Sequence, residues 1–263
     1  MKERNLNRML FAVLCIFASL VPSGGQPQGV APLPAAATIT HVVDGDSFIA
    51  RLADGQSRGL RLIGVNAPEM TDERDEVRTW AFLAKRFAVF HLQGKKVRLE
   101  YDWNVEDKYG RVLAYVWSQG GELFNERIIR QGFAYIFLQY PFRRDYQESF
   151  RGAQRQAVRQ GRGLWAKKPP PEVSLTEVRS RMGDLVTVRF RCAKAWGGKQ
   201  PVFLSSGEGQ LQVLTWKDEG TVIPPAGQFK NKIITVTGFL EAEGNQPRMH
   251  VLFQPRMIRV TNN

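Results

Sequence analysis

Apolar residues alternate with polar ones, or run together in branched blocks, over residues 38–43, 47–52 and 60–65, with an Asp54-Gly55 turn between the second and third blocks. Successive side chains of a strand point to opposite faces, so this pattern predicts a three-stranded meander. Over 76–91 the period changes. Val77, Trp80, Ala81, Ala84, Phe87, Ala88 and His91 recur every three or four residues, and Gly94 follows. That spacing predicts an amphipathic helix packed on a core and stopped by glycine. Strand character returns over 96–101 and 112–117, a short helix is predicted over 124–131 before Gly132, and a longer one over 145–160. Few strands with a few packed helices predict an α+β, barrel-like first half.

Beyond residue 171 the helical period disappears. Residues 184–194, 201–205, 210–216, 232–240 and 249–260 alternate or run apolar, separated by glycine-rich turns at Gly197-Gly198, Gly207-Glu208-Gly209 and Glu243-Gly244-Asn245. About five such strands suit a small closed all-β barrel, for which the OB-fold is the simplest candidate, with a β-sandwich as the alternative. Lys167-Lys168-Pro169-Pro170-Pro171 divides the two halves, because three successive prolines donate no backbone N–H and cannot continue a helix. The expected organisation is a leader over 1–37, a first domain over 38–168, a proline linker over 169–171 and a second domain over 172–263.

The leader reading comes from Lys2, Arg4 and Arg8 against Glu3, a nearly unbroken apolar run over 9–21, and Pro34-Ala35-Ala36-Ala37. Charged start, short apolar core and alanine-rich end are the parts of a secretory signal peptide, so the mature protein is expected outside the cell or in the periplasm. The run falls short of the roughly twenty residues that cross a bilayer, and no stable membrane span is expected after its removal. Cys15 leaves with the leader and Cys192 remains alone, which excludes an internal disulfide, a disulfide-stapled miniprotein and a cysteine-ligated zinc fold.

Charge narrows the partners. The chain carries 37 Lys and Arg against 25 Asp and Glu, a net +12 that divides into +2 for 1–37, +6 for 38–171 and +4 for 172–263. Such a balance favours polyanions as partners, either nucleic acid or an anionic membrane surface. Residues 143–168 alone supply +6, and Arg151, Arg155, Arg159 and Arg162 recur at helical spacing as one positive stripe.

Three stretches set oxygen-bearing and cationic side chains at strand ends: Asp44-Gly45-Asp46-Ser47, Arg61 through Asn66-Ala67-Pro68-Glu69, and Asp107-Lys108-Tyr109-Gly110-Arg111. Each alone is an ordinary turn or strand terminator. Together, two arginines and a glutamate with Asp46 and Asn66 as hard oxygens suit a site that holds a divalent cation and a phosphodiester. The only histidines, His41, His91 and His250, are scattered, which disfavours histidine-based catalysis and zinc. The chain has no phosphate-binding glycine loop, dinucleotide fingerprint or serine elbow.

In the order and spacing of these motifs, together with Asn125-Glu126, Arg130-Gln131-Gly132 and Gly163-Leu164-Trp165, residues 38–166 resemble a staphylococcal-nuclease-type (thermonuclease) domain. The resemblance implies an OB-like five-stranded barrel with packed helices that hydrolyses DNA and RNA with Ca2+. It implies metal ligation by the Asp46 carboxylate and the Ala67 carbonyl, activation of water by Glu69, and a phosphate clamp from Arg61 and Arg111. Lys108 and Tyr109 match residues that contact nucleotide phosphates, and Tyr140 matches one of two base-binding tyrosines; Leu138 stands where the other is expected. Asn66 stands where the family has a second calcium-binding aspartate, so one negative charge is missing from the metal ligands. The expected function is therefore a secreted or periplasmic calcium-dependent nuclease of low sequence specificity, with a nucleic-acid- or protein-binding envelope protein of weak or no activity as the alternative. The second half resembles small OB domains more faintly, through 231–238 and 256–260, and Trp196 or Trp216 is its candidate for stacking on unpaired bases.

Overall fold

The computed structural model describes residues 33–198, 201–207, 209–218 and 221–261, so the leader up to residue 32 lies outside the described residues. Strands β1 (Ala36–Val42), β2 (Ser47–Leu52) and β3 (Ser57–Leu62) form the expected antiparallel meander. After β4 (Val65–Asn66) come helix α1 (Asp75–Leu92), β5 (Lys96–Glu100), β6 (Val112–Trp117), α2 (Phe124–Arg130), β7 (Tyr135–Ile136) and α3 (Arg144–Gln160). Strands β1-β2-β3-β6-β5 close into a barrel in which β3 and β6 are the single parallel pair. Closure leaves no edge strand, and Ile39, Phe48, Ala50, Leu60, Leu99 and Val116 fill the buried interior.

Two details explain motifs of the sequence. Asn125, fully buried, accepts the Val116 N–H at 2.8 Å and donates to the Ile63 and Ala114 carbonyls at 2.9 and 3.3 Å, which ties α2 to the ends of β3 and β6. Gly132 lies so close to Gly163 that a Cβ on it would stand 2.2 Å from the Arg162 carbonyl.

The first strand starts earlier than the expected domain boundary at 38. The Ala35 carbonyl accepts the Leu99 N–H at 2.7 Å, the Ala36 carbonyl accepts the Ala53 N–H at 3.0 Å, and the Tyr101 hydroxyl donates to the Pro34 carbonyl. Residues 34–37 are thus part of the barrel, and a chain starting at Thr38 would lose these bonds.

The second half contains β8 (Glu172–Val173), β9 (Leu185–Arg191), β10 (Lys194–Trp196), β11 (Val202–Ser205), β12 (Gln212–Trp216), β13 (Ile233–Glu243), β14 (Gln246–Leu252) and β15 (Ile258–Thr261). Its order is β10-β11-β12-β14-β13-β9-β8, with β12 parallel to β14. β9 and β10 are two parts of one bent segment, joined at Cys192-Ala193, so the path returns on itself. From β10 to β9 the strand order and the parallel β12–β14 step then repeat those of the first barrel, and β8 adds a second parallel pairing, with β9. The sequence pattern predicts one strand over 249–260, but the structure breaks it between β14 and β15. Pro255 has no N–H for a ladder, and the Gln254 carbonyl instead accepts the Met257 and Ile258 N–H groups at 3.0 and 2.9 Å. Nor is the proline segment a free spacer: the Pro171 carbonyl accepts the Thr187 N–H at 2.8 Å, and β8 pairs with β9.

From Pro34 onward the chain is one compact unit, and α1 is the element shared by its two barrels. Ala81, Ala84, Phe87 and Ala88 are buried as the period predicts, whereas Val77, Trp80 and His91 are only half-buried. Arg78, Thr79, Phe82 and Leu83 are buried in addition. Packing against the second barrel accounts for part of this wider buried face. The Phe239 ring lies 5.7 Å from Phe87 and 5.4 Å from Phe90, Arg86 pairs through Nε and Nη2 with the two carboxylate oxygens of Glu241, and Gln254 donates to the Thr79 hydroxyl at 2.7 Å.

Candidate active site

The turn between β1 and β2 carries Asp46. A Cβ at Gly45 would stand 2.7 Å from the Ala67 Cβ and 2.9 Å from the Ala84 Cβ, so glycine lets this turn lie against both the segment after β4 and α1. The result is a nearly inaccessible carboxylate, 2% exposed. Asp46 Oδ1 accepts Arg61 Nη1 at 2.6 Å and the Ser47 hydroxyl at 3.0 Å, and Oδ2 accepts the Ala67 N–H at 2.6 Å. Arg61, projecting from β3, also places Nη2 3.3 Å from Asn66 Oδ1. One guanidinium therefore spans Asp46 and Asn66. Burial pushes the Asp46 carboxyl well above its ordinary range against the pull of Arg61, and Asp44, whose Oδ1 accepts the Asp46 N–H at 2.9 Å, adds to the rise.

Arg111 joins this cluster from the start of β6. Its Nη1 donates to the Ser47 hydroxyl at 3.3 Å and its Nε to Asp107 Oδ2 at 2.7 Å. Asp107 Oδ1 accepts the Tyr109 and Arg111 N–H groups at 2.9 and 3.0 Å, which fixes the turn that presents Lys108 and Tyr109. Although burial opposes it, these bonds hold the Asp107 carboxyl below its ordinary value. Lys108 and Arg111 both lie over the Tyr109 ring, at 5.0 and 5.5 Å, and that ring is 72% exposed.

Glu69 is exposed, and among the described residues its carboxylate has no hydrogen-bond or ion-pair partner. It lines a groove of about 880 Å³ together with Asn66, Ala67, Trp80, Tyr135 and Arg256. Tyr140, 61% exposed, sets its ring edge-on to Phe137, with ring centroids 5.8 Å apart. Phe137 itself donates its N–H to the Gly64 carbonyl at 2.9 Å, just before β4.

The structure thus brings Asp46, Arg61, Asn66, Ala67 and Arg111 into one bonded cluster. Lys108 and Tyr109 join it through Arg111, while Glu69 and Tyr140 sit on neighbouring segments without a bond to it. Sequence reasoning missed Ser47 and Asp107, which link Arg111 to the rest. The Asx turn written into Asp-Lys-Tyr-Gly-Arg was the available signal for Asp107. It also missed Trp80 and Tyr135 as groove walls, since helical spacing assigned Trp80 to the core.

The oxygens that Arg61 draws together, the Asp46 carboxylate and the neutral Asn66 amide, are of the hard type that suits a divalent cation. Among the described residues, three or more Asp, Glu, His or Cys side chains nowhere gather as a metal cluster.

Residues 59–167 match the family described as staphylococcal nuclease homologue. The thermonuclease of Staphylococcus hyicus is 40% identical over 128 residues, 49% of this chain and 74% of that protein. The chain belongs to the staphylococcal nuclease family. A second thermonuclease, from Staphylococcus intermedius, is 38% identical over 129 residues, 49% of this chain and 75% of the other. Endonuclease YncB of Bacillus subtilis is 28% identical over 131 residues, 49% and 61% of the two chains. The match to the nuclease family ends at residue 167, so the barrel of β9 to β15 stands outside it.

Proposed function

We propose that this member of the nuclease family is an exported, calcium-dependent phosphodiesterase that cleaves DNA and RNA with little sequence preference. The observation that carries this reading is the Arg61 guanidinium bridging Asp46 and Asn66, with Arg111 one hydroxyl away. A phosphodiester is already anionic, and attack concentrates further charge on its equatorial oxygens. Arg61 and Arg111 meet that charge as it grows, and Glu69, unpaired at the groove, orients and deprotonates the attacking water. Asp46, Asn66 and the Ala67 carbonyl would hold the calcium ion, which would supply further positive charge against the developing anion and a counter-charge for Asp46. Lys108, Tyr109 and Tyr140 are the contacts for neighbouring phosphates and bases.

In the second barrel Trp196, 42% exposed and stacked on Phe203 at 5.3 Å and 5°, is the platform for unpaired bases. Trp216 is less suited, since it is half-buried and its Nε1 donates to His250 Nδ1 at 3.0 Å. Export follows from the amino-terminal pattern, and no helix among the described residues is long and apolar enough to cross a membrane.

The test is incubation of the purified mature protein with plasmid DNA and with RNA, with calcium or with chelator. Cleavage with calcium alone supports the reading, and intact substrate under both conditions rejects it. A second reading, a nucleic-acid-binding protein of weak or no activity, is favoured by the neutral Asn66; retention of intact substrate by the protein would identify it.

A further inference from the structure

The guanidinium of Arg78 lies where α1, the turn after Glu69 and the second barrel meet. Arg78 is 5% exposed, yet each of its five N–H groups has an acceptor. Nη1 donates to the Asp72 and Glu73 carbonyls at 2.8 and 2.9 Å. Nη2 donates to Asp75 Oδ1 and, at 3.4 Å, to Asp218 Oδ2, while Nε donates to Asp218 Oδ1 at 3.1 Å. The Asp72 N–H reaches back to the Glu69 carbonyl at 3.3 Å, closing the turn that follows Glu69. At the other end, Asp218 is itself 5% exposed, and the Thr221 hydroxyl accepts its N–H at 3.0 Å and donates to its carbonyl at 2.7 Å. A continuous path of hydrogen bonds therefore runs from the Glu69 backbone through Arg78 to the second barrel.

We propose that Asp218, outside the stretch that matches the nuclease family, is a positioning residue for hydrolysis: through Arg78 it holds the 69–74 turn and so the direction of the Glu69 carboxylate. This inference rests on Glu69 acting as the base. The Glu69 carboxylate has no partner of its own among the described residues, so its direction is set by its backbone. A planar fork with five fixed donors can hold two carbonyls and two carboxylates at once only while all four acceptors stay in place. Without the Asp218 charge, a buried guanidinium turns toward Asp75 and solvent and releases the two carbonyls. The other buried ion pair between the barrels, Arg86 with Glu241, lies two helical turns further along α1 and bonds no backbone group of this turn.

The experiment compares wild type, Asp218→Asn, the milder Thr221→Val and the control Glu241→Gln, using plasmid cleavage in calcium, thermal melts, and hydrogen exchange of the Asp72 and Arg74 amides without substrate. Asp218→Asn is expected to lower kcat about tenfold with KM within about twofold, and to speed exchange of those amides about tenfold. Thr221→Val should fall between it and wild type. Glu241→Gln should lower the melting temperature and leave kcat and the two amides as they were. In a Glu69→Gln background, Asp218→Asn should add less than about a twofold loss, as for residues acting through one another. Unchanged exchange in folded Asp218→Asn and Thr221→Val overturns the inference whether or not the protein cleaves nucleic acid. Additive losses with Glu69→Gln overturn its link to Glu69. A wild type that cleaves nothing, with exchange altered as expected, removes the catalytic reading and leaves the positioning of the turn established.

Discussion

Arg61 and Asp46 form a 2.6 Å ion pair in which both side chains are largely shut away from solvent. Breaking such a pair from one side leaves a buried charge uncompensated, at about 3–5 kcal/mol. Arg61→Ala should therefore reduce turnover by about 100-fold or more and lower the melting temperature as well. Adding Asp46→Asn to Arg61→Ala should restore much of the melting temperature and none of the activity. Circular dichroism melts beside single-turnover cleavage separate the two effects.

Asn66 already directs its Oδ1 at Arg61 from 3.3 Å, so an aspartate there adds charge without needing a new position. Asn66→Asp should lower the calcium concentration for half-maximal cleavage by about tenfold. An unchanged calcium requirement would remove Asn66 from the ligand set.

Helix α3 buries Phe150, Ala153 and Ala157 and turns Arg151, Arg155 and Arg159 to solvent, without an ion-pair partner for any of these three among the described residues. Arg162 leaves the stripe, since it is half-buried and donates to the Arg130 carbonyl at 3.5 Å. Replacing the three free arginines with glutamine should reduce the steepness of log affinity against log salt by about 0.9 for each phosphate that is no longer neutralised. Turnover at saturating substrate should change little.

Burial, helped by the positive charges of Arg127 and Lys95, holds His91 down at about 3 against an ordinary 6.5. The folded value lies below the unfolded one, so between these values the unfolded chain takes up a proton that the folded chain refuses. The stabilisation is complete above pH 6.5 and is lost as pH falls toward 3, at about 1.4 kcal/mol per unit. The melting temperature should drop between pH 7 and pH 5, and His91→Phe should drop less. His250, also held at about 3, largely by its burial, adds to the same slope.

The first barrel was legible almost strand by strand, because period two and period three-to-four report which face a side chain must hide. Two-residue strands such as β4 and β7 carry no period, and only their pairing, Val65 with Ile136 and Asn66 with Tyr135, defines them. The break at Gln254 was hidden for a related reason: its side chain is buried by a partner 175 residues away, Thr79. At the site, the motifs supplied Asp46, Arg61, Asn66 and Arg111, but not who bonds whom. Nothing in the sequence singled out Arg78 and Asp218, since a sequence shows a charge and not its counter-charge. The local signs of a second buried face on α1 were Phe82, Leu83, Val89 and Phe90, large apolar residues standing off the predicted stripe.

A helix that feeds aromatic side chains to two interiors leaves neither barrel whole without the other. Cutting the gene at the proline run would put the Phe87 and Phe90 flank in water, take Asp218 from Arg78 and leave Arg86 without Glu241. Calorimetry of the intact protein should accordingly register one endotherm, with both barrels melting together rather than in succession.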